Sequence, residues 1–287
     1  MSLHTLSEQD QAEVDRLVSS IHIPPCPSVL LELRAEIWSA NPDPRAIARI
    51  TAQDVALTAA VIKVVNSPAY GLRNPVRSLQ EAVLFLGLLK IASLVTGFVL
   101  REALDVKGPA LVRFWDASAK RALTMQHLSL ALKRGDADVA QTFGLFCDLG
   151  IPLLAQKYPN YFETLALANL SRDVEFTTVE RDRHQTDHAL VGALMASNWG
   201  LGPPTVQAIR EHHNYGYLSN PHAPAAVCDL VAMGLLAERL IQAHTDQNQT
   251  VEWARGGEAA LSRLSLSEAD FDDLKVALRD KLATPTC

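Results

Sequence analysis

Several things are scarce in this chain, and each shortage closes off a reading. Cysteine occurs only at positions 26, 147, 228 and 287, never in a CxxC pair, which fits neither a disulfide framework nor a zinc knuckle. Stretches that alternate apolar and polar residues are almost missing, so strands are not expected. Glycine-rich loops of the P-loop or dinucleotide type do not occur. Positive charge is also short: 26 Lys and Arg stand against 32 Asp and Glu, a net charge of −6. A broad electrostatic footprint for nucleic acid is therefore not expected. The first residues, MSLHTLSEQDQAEVDRL, lack the apolar core of a signal peptide, and a cytoplasmic location is the default expectation.

One long apolar run is present, AVLFLGLLKIASLVTGFVL at 82–100, with Lys90 as its only charge. It reaches the length of a membrane span. However, Ser78 and Glu81 form a capping-box pattern just before it, and Gly87 reads as a helix stop. The run is thus expected to be two buried helices, and no membrane association is expected.

With 48% hydrophobic and 20% charged residues, the 287-residue chain has the composition of a globular protein with a substantial core. Apolar residues recur at helical spacing throughout, which predicts an all-α fold. Ser7 and Asp10 open a first helix to Ser19, and a second runs from about Val29 to Ala40. Asp43-Pro44 and Asp54 cap the next two. Lys107-Gly108-Pro109 is the best candidate boundary, which gives an N-terminal helical lobe at 1–107 and a second helical lobe at 108–287. In the second lobe, helices are expected at 111–133, 138–156, 178–199, 204–214, 224–244, 251–262 and 266–283.

The chemistry-bearing residues gather in the second lobe. FGLFCDLG, at 143–150, carries one carboxylate, Asp148, in an apolar run directly after Cys147. Burying that charge without a partner is costly, so the Asp demands an explanation. His127, His184, His188, His212, His213 and His222 supply imidazoles, and His184 and His188 would share a face of one helix. Such donors suit divalent metals, although spacing alone cannot show that they converge. Each also has a plain structural reading, such as a histidine stabilised at a helix C-terminus. Cys147 lacks an activating base and its carboxylate neighbour disfavours the thiolate, so no nucleophile stands out. The capped helices at 43–66 have helix-turn-helix spacing, a pattern common to any bundle.

IPPCPSVLLELRAEI, followed by ARITAQDVALTAAVIKVVNSPAYGLRNPVRSLQEAVLFLGLLKIASLV, closely resembles the HDOD family, the HD-related output domain of bacterial signalling proteins. The resemblance continues through RFWDASAKRA, FGLFCDLGIPLLAQKYP and HALVGALMASNWGLGPPTVQAIREHH, and covers roughly residues 21–215. It implies an all-helical architecture with the N-terminal lobe packed on an HD-like bundle. The family is related to the HD and HD-GYP phosphohydrolases, whose histidines and aspartates hold metal ions that activate water.

Carried over residue by residue, the resemblance implies an eroded site. The first histidine position falls on Ala117 and the His-Asp pair on Cys147-Asp148, while the later histidines fall on His188 and on His212 or His213. The final aspartate position falls on Met233, with Asp229 one turn earlier. Cys147, Asp148, His188, His212 and His213 are then a vestigial pocket, with no catalytic residue, metal or cofactor expected.

A non-catalytic signal-transduction output module follows, placed downstream of a two-component or cyclic-dinucleotide pathway. Its expected partner is a signalling protein of sensor-kinase, receiver or diguanylate-cyclase type, and a homodimer is compatible. The alternatives are a metal-dependent phosphohydrolase with an altered HD site and a nucleic-acid-binding regulator that uses the helix pair at 43–66.

Overall fold

The computed structural model describes residues 21, 23–37, 39–104, 109–245 and 251–282. Every regular element among them is helical, as the missing alternation predicts. The first expected helix, opened by Ser7 with Asp10 and running to Ser19, lies outside the described residues. The chain forms two compact units: Pro25–Lys120 with the end from Arg279 on, and Arg121–Leu278 with the residues up to Pro24. The division falls inside the helix Pro109–Leu132, and residues 105–108, at the expected boundary, are outside the described set.

In the Pro25–Lys120 unit, α1 (Ser28–Ile37), α2 (Pro44–Ala52) and α3 (Val55–Val65) start where their local signals place them. Asp43 Oδ1 accepts from Arg45 N at 2.8 Å, and Asp54 Oδ1 accepts from Leu57 N at 3.0 Å. Each bond satisfies one of the amides that a helix start leaves open. The loop after α3 is closed by Asn66, whose side chain donates to Val76 O (2.8 Å) and accepts from Val76 N (2.7 Å). Inside that loop Tyr70 packs edge-on against Phe85, with the Lys90 ammonium over its ring.

Ser78 then caps α4 (Leu79–Leu86) through Glu81 N, and the Glu81 carboxylate turns back to Arg77 N. Gly87, at φ 83°, separates α4 from α5 (Leu88–Ala103), so the apolar run is two helices, as its sequence predicts, although Leu84 and Phe85 on α4 are exposed rather than buried. Leu33, Ile47, Val61, Val65, Ile91 and Val95 form the core of this unit. Among the described residues, only the stretch Ala137–Lys157 reaches the length and apolarity of a membrane span, and 67% of its apolar window is buried; it is two helices joined by a turn.

The other unit contains most of α6 (Pro109–Leu132), followed by α7 (Ala137–Phe146), α8 (Gly150–Lys157), α9 (Tyr161–Leu170), α10 (Phe176–His184), α11 (His188–Asn198) and α12 (Pro203–Glu211). A short turn at Tyr215–Ser219 leads to α13 (Ala225–Thr245), α14 (Glu252–Leu264) and α15 (Glu268–Leu282). Within this unit Trp199 donates its indole N–H to Pro24 O at 2.9 Å.

Two expected helices are each broken in two, and both breaks matter. The helix expected at 138–156 is interrupted at 147–149, and the one expected at 178–199 at 185–187. Gln185 adopts the left-handed conformation (φ 57°), and Asp187 accepts from Leu190 N at 2.7 Å to start α11 afresh. His184 and His188 therefore lie on different helices rather than on one face.

Candidate metal centre

Each break presents a functional side chain at a helix end. The first leaves Asp148 in the turn between α7 and α8, and the second makes His188 the first residue of α11. His212 and His213 follow the end of α12. Helix ends are suited to this because their open backbone groups orient nearby polar side chains.

The ends are brought together by close backbone approach. A Cβ on Gly150 would lie 2.1 Å from His188 O, so only glycine lets α8 meet α11 at this depth. Gly192, one turn along α11, has Gly150 N 3.4 Å and Cys147 O 3.5 Å from its own Cβ position. The final glycine of FGLFCDLG thus positions His188 beside Asp148.

Ligand-type atoms of Asp148, His188, His212 and His213 all lie within 4.8 Å of one another. His188 Nε2 is 3.2 Å from the Nε2 atoms of both His212 and His213. Asp148 Oδ1 is 3.2 Å from His212 Nε2 and 3.6 Å from His188 Nε2.

The far side of every ring is anchored. His188 Nδ1 donates to Glu180 Oε2 at 2.7 Å, and Glu180 Oε1 accepts from the Tyr161 hydroxyl. His212 Nδ1 donates to Ile209 O at 2.7 Å, a carbonyl left open by the end of α12. His213 Nδ1 donates to Glu252 Oε2 at 2.7 Å, which also accepts from Tyr215. Phe176 stacks flat on His213 at a centroid distance of 4.5 Å. Carboxylates and carbonyls only accept, so each Nδ1 carries the proton and each Nε2 lone pair faces the centre.

Three inward lone pairs and a carboxylate oxygen cannot bond one another without something positive between them. In the protein alone that is a proton. Desolvation pulls His188 down, yet Glu180, Asp148 and Asp187 outweigh it and hold its pKa at about 9. Burial and the neighbouring His212 and His188 pull His213 down to about 4.

A divalent cation is the other solution. Four ligands at about 2.0–2.1 Å around a tetrahedral ion stand about 3.3–3.4 Å apart, close to the 3.2 Å and 3.6 Å separations of the pairs that involve His188 or join Asp148 to His212, with the other pairs within 4.8 Å. Imidazoles anchored through Nδ1 to carboxylates or carbonyls are how metal-binding histidines are held. The residues present fit one cation.

The second oxygen of Asp148 is already committed. Arg121 Nη1 lies 2.6 Å from Asp148 Oδ2 and 2.6 Å from Cys147 Sγ, and the two charged side chains are only 13% and 16% exposed. Arg121 and the nearby histidines hold the Asp148 carboxyl well below the usual range despite its burial. Burial pushes the Cys147 thiol up to about 12, so it is a neutral thiol and a poor nucleophile.

Other sequence candidates lie elsewhere. Met233 is buried, and Asp229 is paired with Arg263 (2.8 Å) and Arg134 (3.8 Å). His184 Nε2 faces Thr164 Oγ1 at 2.8 Å, and His127 and His222 are not among the clustered donors. Ala117 lies one turn before Arg121 on α6.

Sequence reasoning missed Arg121, Glu180 and Glu252. Glu180 sits in the charged helix FTTVERDRH and Glu252 is 39 residues beyond His213. The one available signal was the unpaired Asp148 itself, which required a cation somewhere in the fold.

A family model described as the HDOD domain matches residues 23–215. An uncharacterized protein of Treponema pallidum (strain Nichols) is 28% identical over 240 residues, covering 81% of this chain and 45% of its own length. The chain thus spans less than half of that relative. A crystal structure of an HDOD domain protein with unknown function from Geobacter sulfurreducens matches with TM-score 0.68 at 19% identity, covering 96% of this chain and 98% of that one. A proposed phosphohydrolase of Shewanella amazonensis SB2B matches with TM-score 0.69 at 21% identity, covering 99% and 98%. A proposed signal transduction protein of Marinobacter aquaeolei VT8 gives 0.71 at 21% identity, covering 96% and 63%. At these identities the structural likeness speaks for the fold.

Proposed function

From the premise that this chain belongs to the HDOD domain family, a signalling-type domain related to the HD phosphohydrolases, we propose that it is a non-catalytic output module whose HD-like pocket holds one divalent cation. The observation that carries this reading is the split use of Asp148. One oxygen faces three imidazole Nε2 atoms, and the other is taken by Arg121.

When bound, a divalent cation would supply a fixed positive charge and a Lewis-acid centre at the point where Asp148, His188, His212 and His213 meet. The chain's own residues then do the structural work. His188 links the start of α11 to Glu180 on α10, His213 links the end of α12 to Glu252 on α14, and Asp148 links the α7–α8 turn to α6. Such cross-linking favours a rigid module that presents helical surfaces to a protein partner of sensor-kinase, receiver or diguanylate-cyclase type. The neutral thiol at Cys147 and the Arg121 clamp on its neighbour argue against hydrolysis by a pair of ions.

The test joins metal analysis to an activity screen. Protein purified without chelators is expected to carry about one divalent cation per chain. It is expected to release no product from a phosphomonoester, a phosphodiester or a cyclic dinucleotide beyond the level of an Asp148→Asn variant. Turnover that Asp148→Asn abolishes would instead establish the phosphohydrolase reading, and a chain free of metal under these conditions would remove the cation.

The anchoring carboxylates give a graded check. Glu180→Gln and Glu252→Gln each weaken the orientation of one imidazole without removing a ligand. Each is expected to lower cation affinity about 10–100-fold, measured by competition with a chromophoric chelator.

A further inference from the structure

Arg121 approaches Asp148 from the side that the imidazoles leave free. Its Nη1 reaches Asp148 Oδ2 and Cys147 Sγ, both at 2.6 Å. A sulfur and a carboxylate oxygen thus meet at one positive charge, and both are types that bind divalent ions. A carboxylate that serves one cation position with Oδ1 and another positive centre with Oδ2 is arranged as a bridge. The positive centre on the second side is covalently part of the chain.

We infer that Arg121 is a tethered replacement for a second metal ion, so that this pocket takes one divalent cation and excludes another. This deepens, and rests on, the single-cation reading above. A guanidinium is permanently charged and presents several N–H donors in a plane, so it can satisfy a carboxylate and a sulfur together. It supplies charge without an exchangeable water or an open coordination position, which is what a second reactive ion would bring.

The experiment counts ions. The 287-residue chain is stripped with chelator, dialysed against excess cobalt(II), freed of unbound metal and assayed for cobalt per chain together with its absorption spectrum. The native chain is expected to hold one cobalt with no thiolate-to-cobalt charge-transfer band, because Cys147 stays with Arg121. Arg121→Met removes the charge at similar length and is expected to hold two, with a thiolate band. The band and the second ion are expected to vanish in Arg121→Met/Cys147→Ala.

Arg121→Gln serves the same purpose should the methionine variant not accumulate. Two ions in the native chain, or one ion and no thiolate band in both neutral variants, would overturn the inference. No cobalt in the native chain would overturn the single-cation reading as well, which separates the two failures.

Discussion

Gly150→Ala is expected to be among the most damaging single methyl groups that can be added to this protein. The new Cβ would fall 2.1 Å from His188 O and 2.8 Å from His188 C and Cα, all of them backbone atoms. No rotamer change relieves a clash with backbone, so α8 and α11 must separate. Overpacking of this kind costs about 3 kcal/mol, which for a unit of this size lowers Tm by about 6–12 °C.

The same separation moves His188 away from Asp148, so cation affinity is expected to fall together with Tm. Gly97→Ala is the matched control. Gly97 is a helical glycine with nothing within 4 Å of its Cβ position, and alanine there is expected to be neutral or stabilising by about 0.5–1 kcal/mol. Calorimetry and cation titration of the two variants check the prediction. Equal Tm values would show that the α8–α11 approach is not tight.

Asp187 carries the second large effect, and it is dependent on pH. The residue is fully buried, caps α11 through Leu190 N, and pairs with Arg181 at 2.8 Å and Arg210 at 3.6 Å. Desolvation alone would push its carboxyl up. Arg210, the Leu190 amide, His188 and Arg181 outweigh that and bring it below the ordinary value.

A depressed folded-state pKa stabilises the fold fully above the unfolded value, about 3.9, and that contribution is lost as pH falls through the folded pKa. Asp187→Asn is therefore expected to destabilise the protein by about 3 kcal/mol at neutral pH, from a weakened cap and a broken, partly buried ion pair. The gap between native and variant should be flat from pH 7 to about 5 and close below about 4. Denaturant unfolding at a series of pH values checks this, and a gap that widens on acidification would contradict the assignment.

How much of this was legible in the sequence depends on the range of the interaction. Asp43, Asp54, Ser78 and Gly87 act on amides or dihedral angles within a few residues, and each was readable from its neighbours. The breaks at 147–149 and 185–187 were not. FGLFCDLG contains no proline, and its final glycine is there for a backbone met after 38 further residues, so nothing local announces the interruption. Gln-Thr-Asp at 185–187 did hold a capping residue, but it was masked by a helical pattern that resumes on the far side.

The pocket divides in the same way. His188, His212, His213 and Asp148 stood out as chemistry-bearing residues in the family-like stretch. The expectation of a vestigial pocket came from the lost positions at Ala117, Cys147 and Met233. Spacing could not show that the survivors converge, nor that Arg121 holds Asp148. Glu180 and Glu252 carry no mark in the sequence, because a charged helix gives no sign of which carboxylate turns inward.

The anchors of the imidazoles also set an order in time. Ile209 precedes His212 by three residues and Glu180 precedes His188 by eight, so both partners exist before the rings that need them. His213 waits for Glu252, which is 39 residues later and beyond the family-matched stretch. At a synthesis rate of about 5–20 residues per second, that gap lasts about 2–8 s. A nascent chain therefore carries two imidazoles whose Nδ1 acceptors are already made and one, stacked on Phe176, that lacks its acceptor until α14 emerges, and the full donor set becomes a marker that the C-terminal helices have been made and docked.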